Sequence, residues 1–342
     1  MCKNHKITII AATLALSITV LSGVVVPKIA QTIGDGDKNG YGVGNTADAT
    51  INIADLTDEG YKLVWFDEFN SSTLDSSKWR TDKPRMSGTA EHTISNAAWA
   101  IAQNGGNLKL NAVYNEWYDP NATSGFTSYK YVAPNTVSTE NKMSFQYGYL
   151  EIRAKVPYKE GCWPSFWLRS HHATDKRQNP EFEVELDVFE VFGSKNSLAS
   201  NLHQQTYNGV SGASFMTISS AINNEEIHTF KNSSNLSNEY HTYGLEWEPE
   251  KIAIYVDGVK QCEWVINKFA LLSYGLKPEV SGFDTTMNVL FNNHIFTESS
   301  EYKTSDDNII EKHESNLPSE YAIDYIRLYQ KDDGVSKLIT GR

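Results

Sequence analysis

The run Glu185-Leu186-Asp187-Val188-Phe189-Glu190 places three carboxylates in one short, β-prone stretch shortly before Gly193. Two closely placed carboxyl groups are the minimum equipment for hydrolysing a glycosidic bond, one as nucleophile and one as acid and base. The retaining form of that chemistry needs the pair about 5–5.5 Å apart, one ionised and one protonated. A solvated, acidic strand face would give the same string, since short motifs recur by chance. What surrounds the string has to decide.

In an extended strand alternate side chains share a face. Glu181, Glu183, Glu185 and Asp187 therefore point one way, while Phe182, Val184, Leu186 and Val188 point into a core. Glu190 has the wrong parity and would fall among the apolar side chains. Burying an unpaired carboxylate is costly. One extra residue, a β-bulge near Val188-Phe189, returns it to the carboxylate face.

The rest of the chain supplies a frame for such a strand. From Leu63 onward, short apolar-alternating stretches are separated by turn residues, with little helical periodicity, which indicates a sandwich or jelly roll. Tyr255-Val256-Asp257-Gly258-Val259 reads as a hairpin with an Asp-Gly turn. Tyr114 to Tyr131 and Ser211 to Asn238 read as loops. With 342 residues, 40% hydrophobic and 12% aromatic, the chain can bury one large core. A formal net charge of -12 argues against nucleic acid and anionic membrane surfaces as partners. Of the cysteines Cys2, Cys162 and Cys262, only the last two fall in the folded part, paired or free.

Residues 1–30 read as a signal peptide or N-terminal anchor, 31–54 as a flexible linker and 55–335 as one folded domain. Lys3, His5 and Lys6 precede an apolar run from Ile7 to Val26, long enough for either export or anchoring. Secretion is the expectation, with a cell-surface tether through that segment as the alternative. Asp35-Gly36-Asp37-Lys38-Asn39-Gly40 imitates the start of a calcium loop, but Thr46 stands where the twelfth-position carboxylate belongs. It reads as linker.

The folded part resembles glycoside hydrolase family 16 from about Leu63 to Gln330. The resemblance is carried by many blocks in the family's order. They include Leu63-Val64-Trp65-Phe66-Asp67-Glu68-Phe69, Gly106-Asn107-Leu108-Lys109-Leu110 and Gln146-Tyr147-Gly148-Tyr149-Leu150-Glu151-Ile152-Arg153. Trp163-Pro164-Ser165-Phe166-Trp167-Leu168, the carboxylate string, His241-Thr242-Tyr243-Gly244-Leu245-Glu246-Trp247 and Ile323-Asp324-Tyr325-Ile326-Arg327-Leu328-Tyr329 follow. The resemblance implies an all-β jelly-roll sandwich of two antiparallel sheets with a concave substrate cleft, and a secreted, monomeric, retaining endo-glycanase acting by double displacement. A non-catalytic carbohydrate-binding sandwich is the alternative from another class.

Carried onto matching positions, the resemblance makes Glu185 the nucleophile, Glu190 the acid/base and Asp187 the residue between them. Negative charge from Glu185 and Asp187 would then keep a proton on Glu190. Trp163 and Trp167 share one strand face and are candidate sugar-stacking platforms, with a core position as the other reading for Trp167. Trp117 lies in a polar loop, as a distal subsite or as a cap on the sandwich edge. His203 follows the motif where family members often place a histidine. A structural calcium on the convex side would be held by backbone carbonyls and one aspartate, at Glu68, Gly106 and Asp324, although Asp324 also fits a hydrogen-bonded strand residue. No catalytic cofactor is implied.

The bulged carboxylate string resembles the laminarinase, agarase, porphyranase and carrageenase branches. Trp163-Pro164-Ser165-Phe166-Trp167 is similar to laminarinase-type β-1,3(4)-glucanases, so a laminarin-like glucan is the leading expectation. Met287-Asn288-Val289-Leu290-Phe291-Asn292-Asn293 lacks the Gly-Gly and Trp that those enzymes place just after. Arg169, His171 and His172 could meet sulfate on a galactan, or form a solvated loop.

Overall fold

A computed structural model describes residues 56–83, 87–170, 182–193, 197–206, 216–217, 228–231, 236, 239–267, 283–300 and 304–341. The N-terminal apolar segment, the linker, His171 and His172 lie outside these residues. Two sheets make the sandwich. The larger has ten strands and runs from Val259–Val265 through Lys251–Val256, His241–Glu248, Gly148–Lys155, Ser319–Lys331, Asn107–Tyr114 and Tyr131–Pro134 to His92–Ser95. The smaller has seven and contains, side by side, Ser197–Thr206, Phe182–Glu190, Cys162–Arg169 and Asn288–Ile295. Pairing is antiparallel throughout the described ladders, with one correction to the expected pattern: His92–Ser95 runs parallel to Tyr131–Pro134.

Period-2 alternation builds the interior between the sheets. In Asn107–Tyr114, Leu108, Leu110 and Ala112 are buried and the residues between them are not. From the smaller sheet, Phe166, Leu168, Val184, Leu186, Val188, Phe189, Val289 and Phe291 enter the same core. Rings interlock there: Phe291 lies 5.6 Å from Trp79 and 5.3 Å from Phe166, and Phe189 lies 4.8 Å from Tyr243.

The Asp-Gly hairpin forms as expected. Asp257 and Gly258 both take left-handed backbone, with φ of 50° and 73°, and Val256 pairs with Val259 across the turn. Two left-handed residues in succession match the right-handed twist of the strands they join. The Tyr114 to Tyr131 segment is a loop with a single 3-10 turn at Phe126–Ser128. The second expected loop holds two short strands, Met216–Thr217 and His228–Lys231, both paired to Ser197–Thr206. Cys162 and Cys262 are free and buried, which closes the choice left open for them.

Candidate active site

The carboxylate strand is Phe182–Glu190, and its register shows how the acids come to share a face. Against Ser197–Thr206, Glu185 pairs with His203 and Asp187 with Asn201, but Glu190 pairs with Ala199. Three residues on one strand thus match two on its neighbour. Against Cys162–Arg169 the same slip occurs: Asp187 faces Trp167 and Glu190 faces Ser165. The bulge expected near Val188-Phe189 is there. Both of those side chains are fully buried in the core, and Glu190 returns to the outer face. A bulge leaves ladder groups unpaired. Here the Val188 carbonyl accepts a hydrogen bond from Ser200 Oγ at 2.6 Å.

Three of the side chains expected to act are gathered together. Ligand atoms of Glu185, Asp187 and His203 all lie within 4.8 Å of one another. His203 Nε2 stands 2.9 Å from Asp187 Oδ2, and Arg169 stands 4.0 Å from Glu185 Oε2. Glu190 is held at both oxygens: Trp163 Nε1 donates to Oε1 at 3.0 Å, and Asn201 Nδ2 donates to Oε2 at 3.2 Å.

Charge state follows from these neighbours. Burial, then the negative charge of Asp187 and of Glu185, pushes the Glu190 carboxyl up to about 8, against the opposing pull of His203 and the Trp163 hydrogen bond. Burial alone would drive His203 down. The adjoining Asp187, then Glu185 and Glu190, outweigh it and raise the imidazolium to about 9. At neutral pH the face therefore carries a protonated Glu190 and a cationic His203. A carboxylic acid poised near the working pH beside a second carboxylate is the acid/base asymmetry that glycoside cleavage requires.

The three candidate sugar-contacting tryptophans sit in different surroundings. Trp163 is half-buried, with its ring stacked on Phe296 at 5.0 Å and 15° and its N–H spent on Glu190. Trp167 stands on the same outer face, opposite Asp187, yet it is only 8% exposed and donates its N–H to Asn292 Oδ1 at 2.9 Å. Too little ring is left for a sugar to stack on, so it is floor rather than platform. Trp117 is 58% exposed and clusters with Trp99 and Phe126, at 6.4 Å and 6.0 Å, rather than with the carboxylates.

The calcium expectation, backbone carbonyls at Glu68 and Gly106 with the Asp324 carboxylate, meets an ion pair at Asp324. Both oxygens of Glu68 receive hydrogen bonds from Arg327 at 2.8 Å, and Asp324 is paired with Arg153 at 2.7 Å. The Arg153 guanidinium takes the one side chain that the expected site would use, which is the hydrogen-bonded strand reading of Asp324. Among the described residues the one cluster with metal-ligand geometry is Glu185, Asp187 and His203 itself.

Asn201 and Ser200 were missed in the sequence reading. The available signal was parity: Asn201 is two residues before His203 and so shares its face.

The sequence model of the β-porphyranase A–D domain of glycoside hydrolase family 16 matches residues 65–331. The chain belongs to glycoside hydrolase family 16. It is 26% identical to glucan endo-1,3-β-glucosidase A1 of Niallia circulans over 301 residues, which is 82% of this chain and 40% of that protein. It is 27% identical to keratan-sulfate endo-1,4-β-galactosidase of Sphingobacterium multivorum over 212 residues, 62% of this chain and 45% of that one. The chain thus spans less than half the length of these two relatives. The laminarinase of Rhodothermus marinus superposes with a TM-score of 0.57 at 21% identity, covering 79% of this chain and 97% of that structure, and shows the shared sandwich fold. Family 16 is a family of retaining endo-β-glycanases acting on polysaccharides, and its chemistry needs no catalytic cofactor.

Proposed function

We propose that this chain is a secreted endo-galactanase that cleaves internal β-galactosidic linkages by double displacement. Glu185 attacks the anomeric carbon while Glu190 gives its proton to the departing glycosidic oxygen, whose bond to that carbon breaks. A glycosyl ester on Glu185 results. Glu190, now ionised, takes a proton from water, which attacks the same carbon and releases Glu185. Asp187, braced by His203, keeps negative charge beside Glu190 and so favours the protonated acid. The observation that carries the mechanism is the bulged strand, which sets Glu185, Asp187 and Glu190 on one outer face with Glu190 raised to about 8.

The galactan reading rests on the β-porphyranase domain match and on the Asn288–Ile295 strand. That strand lacks the Gly-Gly and Trp that laminarinase-type enzymes place just after it, and its Asn288, Leu290, Asn292 and His294 are buried, with both amides hydrogen-bonded inside the protein. A second reading, endo-hydrolysis of β-1,3(4)-glucan, is favoured by the Trp163 to Trp167 block and by the likeness to the Niallia circulans protein. Reducing-end release from porphyran, agarose, keratan sulfate, carrageenan, laminarin and mixed-linkage glucan separates the two, with Glu185→Gln as control. Release from a galactan is the expected result. Release from laminarin alone would replace the galactan reading with the glucan one. Binding without release from any would favour a carbohydrate-binding sandwich.

A further inference from the structure

We propose that Trp163 is a positioning residue for the acid/base. Its indole N–H fixes Oε1 of Glu190 as the accepting oxygen and leaves Oε2 to carry and deliver the proton. The inference rests on the acid/base reading of Glu190 and assigns a direction to its proton. An indole nitrogen donates and cannot accept. The oxygen facing it, 3.0 Å away, is therefore the poor place for a proton and the good place for the carbonyl end of a neutral carboxyl. The partner of Oε2 is not constrained in this way. Asn201 lies 3.2 Å from it, and an amide can turn either its oxygen or its nitrogen towards a neighbour. One side of the acid is thus locked as acceptor, and the other tolerates both states of the catalytic cycle.

The lock is itself held. Phe296 stacks on the indole at 5.0 Å, Phe192 lies 5.6 Å away and His294 meets it edge-on at 6.1 Å. A ring clamped by three aromatic neighbours holds its N–H direction without help from substrate. During glycosylation the proton leaves Oε2 for the glycosidic oxygen as the carbon–oxygen bond breaks. The developing carboxylate keeps the Trp163 hydrogen bond on Oε1, which strengthens as charge appears there.

Trp163→Phe keeps an aromatic ring for Phe296 and Phe192 and removes only the N–H. On the polysaccharide, kcat should fall roughly tenfold or more with KM unchanged. The basic limb of the pH profile should move up by about one pH unit, because a donor that favours the ionised acid is gone. On a dinitrophenyl glycoside, whose leaving group needs no proton, activity should stay near that of the unsubstituted enzyme. A rise in KM with kcat preserved, or an equal loss on both substrates, would overturn the proposal in favour of a sugar platform. A readout that needs no Trp163 variant is the indole ¹⁵N–¹H resonance of the intact protein. It should titrate with the basic limb and stop doing so in Glu190→Gln. A resonance that stays still through that limb also overturns the proposal. Full activity of Glu190→Gln would instead remove the acid/base reading on which it rests.

Discussion

Glu190→Gln should make the protein more stable at alkaline pH while abolishing its activity. A carboxyl raised on folding reverses the usual case for an acid. The folded chain holds this proton more tightly than the unfolded chain, so ionisation costs nothing below the ordinary value of 4.5, and the cost grows as pH climbs towards about 8. Titrating alone, the group would cost about 5 kcal/mol once fully ionised. Asp187 and His203 share the same field, so the pH dependence belongs to the cluster rather than to one residue. His203 adds in the same direction. Raised from 6.5 to about 9, it contributes stability that is whole below 6.5 and lost as pH rises through 9. Unfolding by urea at pH 5 and at pH 8.5, for both proteins, separates the two contributions. At pH 5 the variant and the parent should be nearly equal. At pH 8.5 the parent should have lost stability by several kcal/mol, and the variant should retain about 2–4 kcal/mol of that loss. Parallel pH dependences, or a variant that is the weaker of the two at pH 8.5, would refute the claim that the protein strains itself to keep this acid protonated.

The other expectations are shorter. Glu185→Gln and Glu190→Gln should each lower polysaccharide hydrolysis by roughly 10²-fold or more with the circular dichroism spectrum unchanged, and full activity in either would undo the catalytic assignment. Arg327→Met should cost about 3 kcal/mol by leaving Glu68 without its 2.8 Å bidentate partner. Glu68→Gln added to it should return part of that loss in thermal unfolding. Gly148→Ala should destabilise by more than about 2 kcal/mol, since φ is +132° and a Cβ would stand 2.5 Å from the Tyr329 carbonyl oxygen. An unchanged midpoint would show that the strand can move aside.

Much of this architecture is legible in the sequence because period 2 is a strong constraint. Leu108, Leu110 and Ala112, or Val184, Leu186 and Val188, announce their inward face by spacing alone. The bulge is legible for the same reason: Glu190 breaks the parity, and a buried carboxylate is the dearer alternative. What parity cannot supply is which polar atoms meet. Trp163 was read by its ring, and its N–H turned out to be the part aimed at Glu190. The Asp324 carboxylate, a candidate calcium ligand by sequence, is paired with an arginine 171 residues away, and the arginine that holds the Glu68 carboxylate lies 259 residues away. Pairings at such separations come from tertiary packing, and no local pattern records them. The same holds for Trp167, whose N–H is taken by Asn292 from a neighbouring strand.

The bulge does more than rescue parity. In a regular strand, the residue after Asp187 on the outer face would be Phe189, and Glu190 would enter the core between Val188 and Phe192. Inserting one residue buries Val188 and Phe189 together and brings Glu190 out one step late, between Ser165 on one flank and Ala199 on the other. Those flanking side chains are small. They cannot cover the acid, so groups two residues further along reach it instead: Trp163 from the strand of Ser165, and Asn201 from the strand of Ala199. With larger residues at 165 or 199, those two donors would be shut out, and Glu190 would be both buried and unheld, a state whose cost the fold could not offset. The register slip, the two small neighbours and the two donors are therefore one device. It buries an acid deeply enough to stay protonated and holds it firmly enough to be aimed.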